Sequence, residues 1–431
     1  MTDEPGIVIV GIGLETPGNS DSCETFLDMV NSRSDVCGPL PRDRGYDLDL
    51  LFSLHERPGW APVPDRGGFL TGAAEFDPEY FGITPHEARI MDPQQRVGLR
   101  VAYRAVEHVG WTPADLAGTD TGCFMGALMS GYGPDMAVPD DYNGHKLVGS
   151  SLSAISGRIS HHLDLHGPSV TVDTGCGASL TAIHNAAAAI RAGECTVALA
   201  GGVTVMGSEM MFVEFSRNQA LSTNGLCRPF SAEANGTVWG EGAAVLVLCS
   251  SSFARAHNLT VHGRILGSAV NHNGRGGPIH APSEEGQVDV MLRALRSAGI
   301  TPRQVGCIEG HGTGTRAGDP IEMAALSRVY GNHEHPVPFG SVKSNMGHPQ
   351  AAAGAIGLIK LMLGARQGTA PPTIIGSAPA VPVPELGLVP ADGQPWRISD
   401  GHRIGAVSSF GIGGTNTHLI VAYPAPRGKD Q

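Results

Sequence analysis

Charge is scarce in this chain of 431 residues: only 16% are Asp, Glu, Lys or Arg, and aromatic residues make up 5%. Set beside 41% hydrophobic residues, so little charge excludes an extended, self-repelling disordered chain and implies a compact globule. Basic residues are the scarcer sign, 29 Lys and Arg against 41 Asp and Glu, and the net charge of −12 leaves no general basic face for nucleic acid. No uncharged apolar run approaches the roughly 18 to 20 residues of a spanning helix, which argues against a membrane partner. The opening "MTDEPGIVIVGIG" is acidic where a secretory signal would be basic, so the expected compartment is the cytoplasm. The eight cysteines include no CxxC pair, hence no disulfide or zinc framework. Seven of them (Cys23, Cys37, Cys123, Cys195, Cys227, Cys249 and Cys307) read as buried free thiols. His161/His162 and His333/His335 lack a third ligand at a recognisable spacing, and no metal site is expected. "GIGLETPG" lacks the spacing of a dinucleotide-binding loop.

What is plentiful is turn chemistry, with 60 glycines and 31 prolines. Between the turns, β-branched runs such as "GIVIVGIG", "TGCFMGALMS" and "CTVALAGGVTVM" alternate with helical patterns such as "ARIMDPQQRVGLRVAYRAVEHVG". That alternation predicts an α/β layered fold. One unit occurs twice: in residues 169–193 and 337–367 a strand ends in a polar turn and opens a helix of small residues. Two related halves are therefore expected, 1–252 and 253–431, with the seam near "LCSSSFARAHN". Residues 36–75 and 128–150 are too long for ordinary connections and read as functional or interface segments.

The eighth cysteine, Cys176, sits where "SVTVDT" gives way to the alanine-rich helical stretch, with Gly175 and Gly177 on either side. A thiol at the first turn of a helix would face unpaired N–H groups and the positive end of the helix dipole, which favour thiolate. Two histidine motifs give this cysteine a context: His311 in "EGHGTGTRAGDPIE" and His348 in "SVKSNMGHPQAAAG". All three are expected at equivalent strand-to-helix turns, converging on one pocket. A cysteine with two histidines suits acyl transfer followed by chemistry on a thioester enolate.

With "MDPQQR", "SGRIS", "GPSVTVDT", "RPFSAEANGTVWGEG" and "FGIGGTNTH", these motifs resemble the β-ketoacyl synthase family, and most of all the ketosynthase domains of modular polyketide synthases. The resemblance runs from residue 6 to about residue 423. It implies a thiolase-like fold, five αβαβα layers built from two related halves, usually as a homodimer. It implies that Cys176 is the nucleophile that takes an acyl chain from phosphopantetheine. His311 and His348 would stabilise the enolate in a decarboxylative condensation, and Lys343 and Glu322 would form the ion pair that orients the network behind them. Thr313 and Thr315 correspond to the pantetheine-binding hydroxyls, and the N–H groups of Cys176 and Ile412 to an oxyanion hole. No permanent cofactor is implied; the partner is an acyl carrier protein, expected in trans to a discrete protein.

Four departures from the family's pattern stand out. "DTGCGAS" replaces the usual DTACSSS or DTACASS, and Ile412, next to Phe410, stands where a gating phenylalanine is usual. His280 replaces a threonine facing the extender pocket, and His161 replaces a tyrosine, which reads as structural. The first three leave open a second function, ring closure and chain release without decarboxylation, and a third, non-elongating acyl transfer.

Overall fold

The computed structural model describes residues 6–133, 136–275, 277–376, 378–379 and 383–424. Eleven strands form one sheet: β1 (Ile7–Glu15), β2 (Gly122–Gly126), β3 (Ser169–Val172), β4 (Val197–Thr204), β5 (Gly242–Ser250), β6 (Gly263–His272), β7 (Cys307–Glu309), β8 (Val337–Gly340), β9 (Leu388–Pro390), β10 (His402–Phe410) and β11 (Thr415–Pro424). Their order is β3-β2-β4-β5-β1-β6-β11-β10-β7-β8-β9. Read inward from its edge, the first half runs through its own third, second, fourth, fifth and first strands. The second half, β8-β7-β10-β11-β6, repeats that order, with β9 added outside. The halves meet where β1 pairs antiparallel with β6, Ile7 opposite Ile265.

Side-chain alternation along the strands sorts the core into layers. Ile7 and Ile9 of β1 join the central apolar cluster, whereas Val8 and Val10 join an outer one. A bulge between Ile9 and Gly11 reverses the phase, so that Ile12 and Leu14 return to the centre. The central layer holds the helices Ala178–Ala192 and Ala353–Gln367, whose Ala, Gly, Leu and Ile side chains let them lie between the two halves of the sheet. Helices Pro93–Val109 and Ser153–His162 cover the outside of the first half, and Glu284–Ala298 and Gly318–Tyr330 that of the second. The layers are thus helix, sheet, helix, sheet, helix.

The twice-occurring unit holds its place: β3 feeds the first central helix and β8 the second. Only His348, between β8 and its helix, is at the turn equivalent to that of Cys176. His311 follows β7, the second strand of its half, so the expectation of three equivalent turns is corrected to two. The segment 36–75 carries a short helix, Leu48–Ser53, and packs Leu40, Tyr46, Leu51 and Val63 into a satellite core around Trp239. Among the described residues no helix is long and apolar enough to cross a membrane.

Candidate active site

The turns that follow β3, β7 and β8, together with the β10–β11 turn, open on one cavity of about 590 Å³. Cys176, His311, His348, Glu322, Thr313, Thr315, His280, Phe410 and Ile412 all line it; Lys343, also assigned to the site from the sequence, does not. His161 lies elsewhere, in a separate cleft with Phe81, Arg158 and His162.

The Cys176 turn is tied down from three sides. The Gly175 N–H donates to Asp173 Oδ1 at 3.0 Å, the Ser409 hydroxyl donates to the Cys176 carbonyl at 2.6 Å, and Thr181 links Thr174 to Thr417 through hydroxyl contacts of 3.0 and 2.9 Å. Gly175 has φ +61°, and a Cβ there would lie 3.2 Å from the Ile412 nitrogen, so glycine lets the two turns close on each other. The helix begins at Ala178, two residues beyond the thiol. The expected stabilisation of thiolate by the helix terminus is overturned: burial pushes the Cys176 thiol from its ordinary 9.0 up to about 11, with Lys343 pulling the other way.

The His311 and His348 rings stand nearly perpendicular, at 85°, with centroids 5.4 Å apart. The Gln350 backbone N–H donates to His348 Nδ1 at 3.2 Å, which makes Nδ1 the acceptor and leaves the proton on Nε2. That Nε2 is buried without a hydrogen-bond partner, and so is Nδ1 of His311. Burial first, and the Lys343 ammonium second, hold both imidazoles well below the ordinary histidine range, so both are neutral near pH 7. Two neutral rings with unspent polar atoms in a thiol-lined cavity are a costly arrangement unless a ligand atom satisfies them.

The loop carrying His311 is gripped by its neighbours. Glu322 accepts the N–H groups of His311 and Gly312 at 2.6 and 2.8 Å, and Lys343 Nζ donates to the His311 carbonyl at 2.6 Å. Glu322 and Lys343 therefore clasp the same turn from two directions and do not meet in a direct ion pair, which corrects the pairing expected from the resemblance. Asp319 holds Phe230 N–H at 2.6 Å and Gly314 N–H at 3.1 Å. Burial pushes the carboxyls of Asp319 and Glu322 up to about 6 and about 7.

At the mouth, the Thr313 and Thr315 hydroxyls are 3.2 Å apart, and Ile412 is 52% exposed. His280 is exposed on the facing loop, which is tied to the Ile412 turn through His272, whose Nε2 is 2.8 Å from the Gly413 carbonyl. The sequence reading missed Trp239 and Phe215, which line the cavity and pack edge to face at 4.4 Å. Trp239 also lies 5.4 Å from the His348 ring, and the His348 backbone pairs with its neighbours Val238 and Gly240. The signal was in "GTVWGEG", a motif quoted for its resemblance and given no part in the site.

Residues 4–254 match the N-terminal domain of β-ketoacyl synthases and residues 262–376 the C-terminal domain. The chain belongs to the β-ketoacyl synthase family. These are acyl-transferring enzymes that form carbon–carbon bonds. The synthase is 43% identical to polyketide synthase GfsA of Streptomyces halstedii, over 99% of its own length and 6% of that protein's. It is equally 43% identical to erythronolide synthase EryA3 of Saccharopolyspora erythraea, over 98% of its length and 14% of that protein's. Its fold is thiolase-like: it superposes with a TM-score of 0.88, at 33% identity, on the ketosynthase from module 6 of the bacillaene synthase from Bacillus subtilis 168, covering 98% of this chain and 72% of that one. The synthase spans between 6% and 20% of the length of the curated relatives it matches. The expectation of a discrete protein finds no support in them, since in each the matching part belongs to a far longer chain.

Proposed function

We propose that the synthase extends acyl chains by decarboxylative condensation on carrier-bound thioesters. The observation that carries this reading is the pair of neutral imidazoles, His311 and His348, presenting unpartnered nitrogens in the cavity that contains Cys176. Cys176 attacks the acyl thioester of a phosphopantetheine arm; the sulfur–acyl bond of the arm breaks, its thiolate leaves, and the acyl group passes to the protein. With the thiol held at about 11, its proton must move as the sulfur attacks, and a neutral imidazole is at hand to take it. The backbone N–H groups of Cys176 and Ile412 receive the carbonyl oxygen in that step. A malonyl-type extender then enters past Thr313 and Thr315. As its carboxylate leaves as carbon dioxide, the bonding electrons pass into an enolate whose oxygen meets His348 Nε2–H and His311. The enolate carbon attacks the Cys176 thioester, a carbon–carbon bond forms, and the thiolate returns to Cys176.

The acyl group arrives on an acyl carrier protein, whether fused or in trans, and no further cofactor is needed. The synthase acts as a homodimer through the edge strand β3, whose residues Ser169 and Val170 are exposed. The small residues beside Cys176 and the exposed Ile412 favour a second reading, an intramolecular capture of the enolate that closes a ring and releases the product.

Intact-mass measurement on the synthase mixed with an acylated carrier, without and then with a malonyl carrier, separates these readings. Elongation requires acyl-Cys176 and a product two carbons longer that appears only with the malonyl carrier. Release of a cyclised chain from a single carrier, without loss of carbon dioxide, establishes the second reading. Cys176→Ala should abolish loading. His311→Ala and His348→Ala should still load but condense roughly 100- to 1000-fold more slowly, the cost of one lost oxyanion donor. Acylation of the Cys176→Ala protein overturns the nucleophile assignment.

A further inference from the structure

We propose that the buried pair of Glu309 and Lys360 is a positioning device for the reaction, tying the turn that carries His311 to the turn that carries Lys343 and His348. The inference rests on the reading of those turns as the site of enolate chemistry.

Glu309 is the last residue of β7, two before His311. Its Oε1 accepts a hydrogen bond from the Val342 N–H at 2.6 Å and its Oε2 accepts one from Lys360 Nζ at 2.9 Å. Lys360 also donates to Thr373 Oγ1 at 3.2 Å, and that oxygen accepts the Ser341 N–H at 3.1 Å. The N–H groups of the two residues directly before Lys343 are thus both held by one network. Lys343 Nζ closes the ring by donating to the His311 carbonyl.

The two side chains are 4% and 1% exposed, and Lys360 projects from a central helix whose other residues up to Ala365 are small or apolar. Room has been left for the carboxylate: a Cβ on Gly357 of that helix would come within 2.9 Å of Glu309 Cγ. A buried ion pair is a poor means of stabilising a fold, since apolar residues of similar volume usually serve as well or better. Its retention is explained by what it specifies, the spacing of two turns whose imidazoles must stay 5.4 Å apart. The charge matters as well as the hydrogen bonds. Burial lowers the Lys343 ammonium from its ordinary range, and Glu309 is the foremost group opposing this, ahead of Glu322, Cys227 and Cys176. Asp319, His311 and His348 complete the titratable groups that Lys343 faces.

The test compares the parent with Glu309→Gln/Lys360→Met, which removes both charges and keeps an acceptor for Val342, and with Lys360→Arg. Histidine-selective ¹⁵N NMR reads the imidazoles without requiring turnover, and malonyl-carrier decarboxylation is followed against pH. In the double variant the His311 and His348 signals should shift while that of His166, beside edge strand β3 at the other end of the sheet, stays. Condensation kcat should fall about 10- to 100-fold, as displaced reacting groups do, with KM for the malonyl carrier and Cys176 loading unchanged and the alkaline limb moved to lower pH. Lys360→Arg should restore most of the rate. Unchanged imidazole signals in a folded double variant overturn the proposal, and so does a double variant that no longer folds, which would make the pair purely structural. A parent with no decarboxylation at all sinks the proposed function instead, leaving the NMR comparison to judge the pair.

Discussion

At the scale of single residues, the environment of Cys176 decides its reactivity. Lying two residues before its helix and half-buried at the cavity, the thiol is held at about 11, above its ordinary 9.0, chiefly by burial. An acid with a raised pKa is mostly protonated below it, so its thiolate fraction rises about tenfold per pH unit. Alkylation of Cys176 by iodoacetamide should therefore accelerate from pH 7 to pH 9 with no plateau, and Lys343→Met should slow it further; a plateau below pH 8 would show that burial does not govern the thiol. Ile412 poses a separate question at the same scale. Its half-exposed side chain stands at the mouth of the cavity, so Ile412→Phe should change the preference for acyl-chain length in a competition assay while leaving the loading chemistry intact. The residue types of the site were legible because cysteine and histidine in Gly-rich turns announce their chemistry. The tautomer of His348 was not, because it is set by a backbone N–H, which every residue but proline carries. Trp239 was equally hidden, since a buried tryptophan and a cavity-lining one look alike in sequence.

Among the elements, the turns are where sequence and geometry are most tightly matched. Gly175→Ala restores the residue usual in the family, yet it sets a Cβ at φ +61° and 3.2 Å from Ile412, so the β10–β11 turn must give way. A loss of about 1 to 2 kcal/mol, the usual cost of a left-handed L-residue, is expected in chemical denaturation, together with slower acylation. Gly177→Ala, at φ −83° with its nearest neighbour 3.4 Å away, should be close to neutral. Equal stabilities for the two variants would show that the strain is absorbed elsewhere. Strands and helices were predictable wherever apolar periodicity was clear, as in Pro93–Val109 and β4. The run "GAAVLVLCS" was passed over as a strand, although it forms β5 and is buried along almost its whole length. A continuous apolar run carries no alternation, so periodicity cannot separate a doubly covered strand from a buried helix.

For the molecule as a whole, the mirrored strand order is the governing fact. It places Cys176 on one half and both His311 and His348 on the other, so no half contains the whole cavity. The repeated unit hinted at this arrangement. The pairing of β1 with β6 could not be read, because strand order depends on contacts between residues far apart in the chain. A further consequence concerns time. β11 is the last strand in sequence, yet it lies inside the sheet between β6 and β10, and the turn just before it supplies Ile412, while Ser409 of β10 anchors the Cys176 carbonyl. At roughly 5 to 20 residues per second on the ribosome, Thr415 emerges on the order of 10 to 50 s after Cys176. Throughout that interval the Cys176 turn lacks the Ser409 hydroxyl and the β10–β11 turn that packs against Gly175. On the proposed function, a chain halted before residue 409 should therefore take up no acyl group from a loaded carrier, whereas the finished one should.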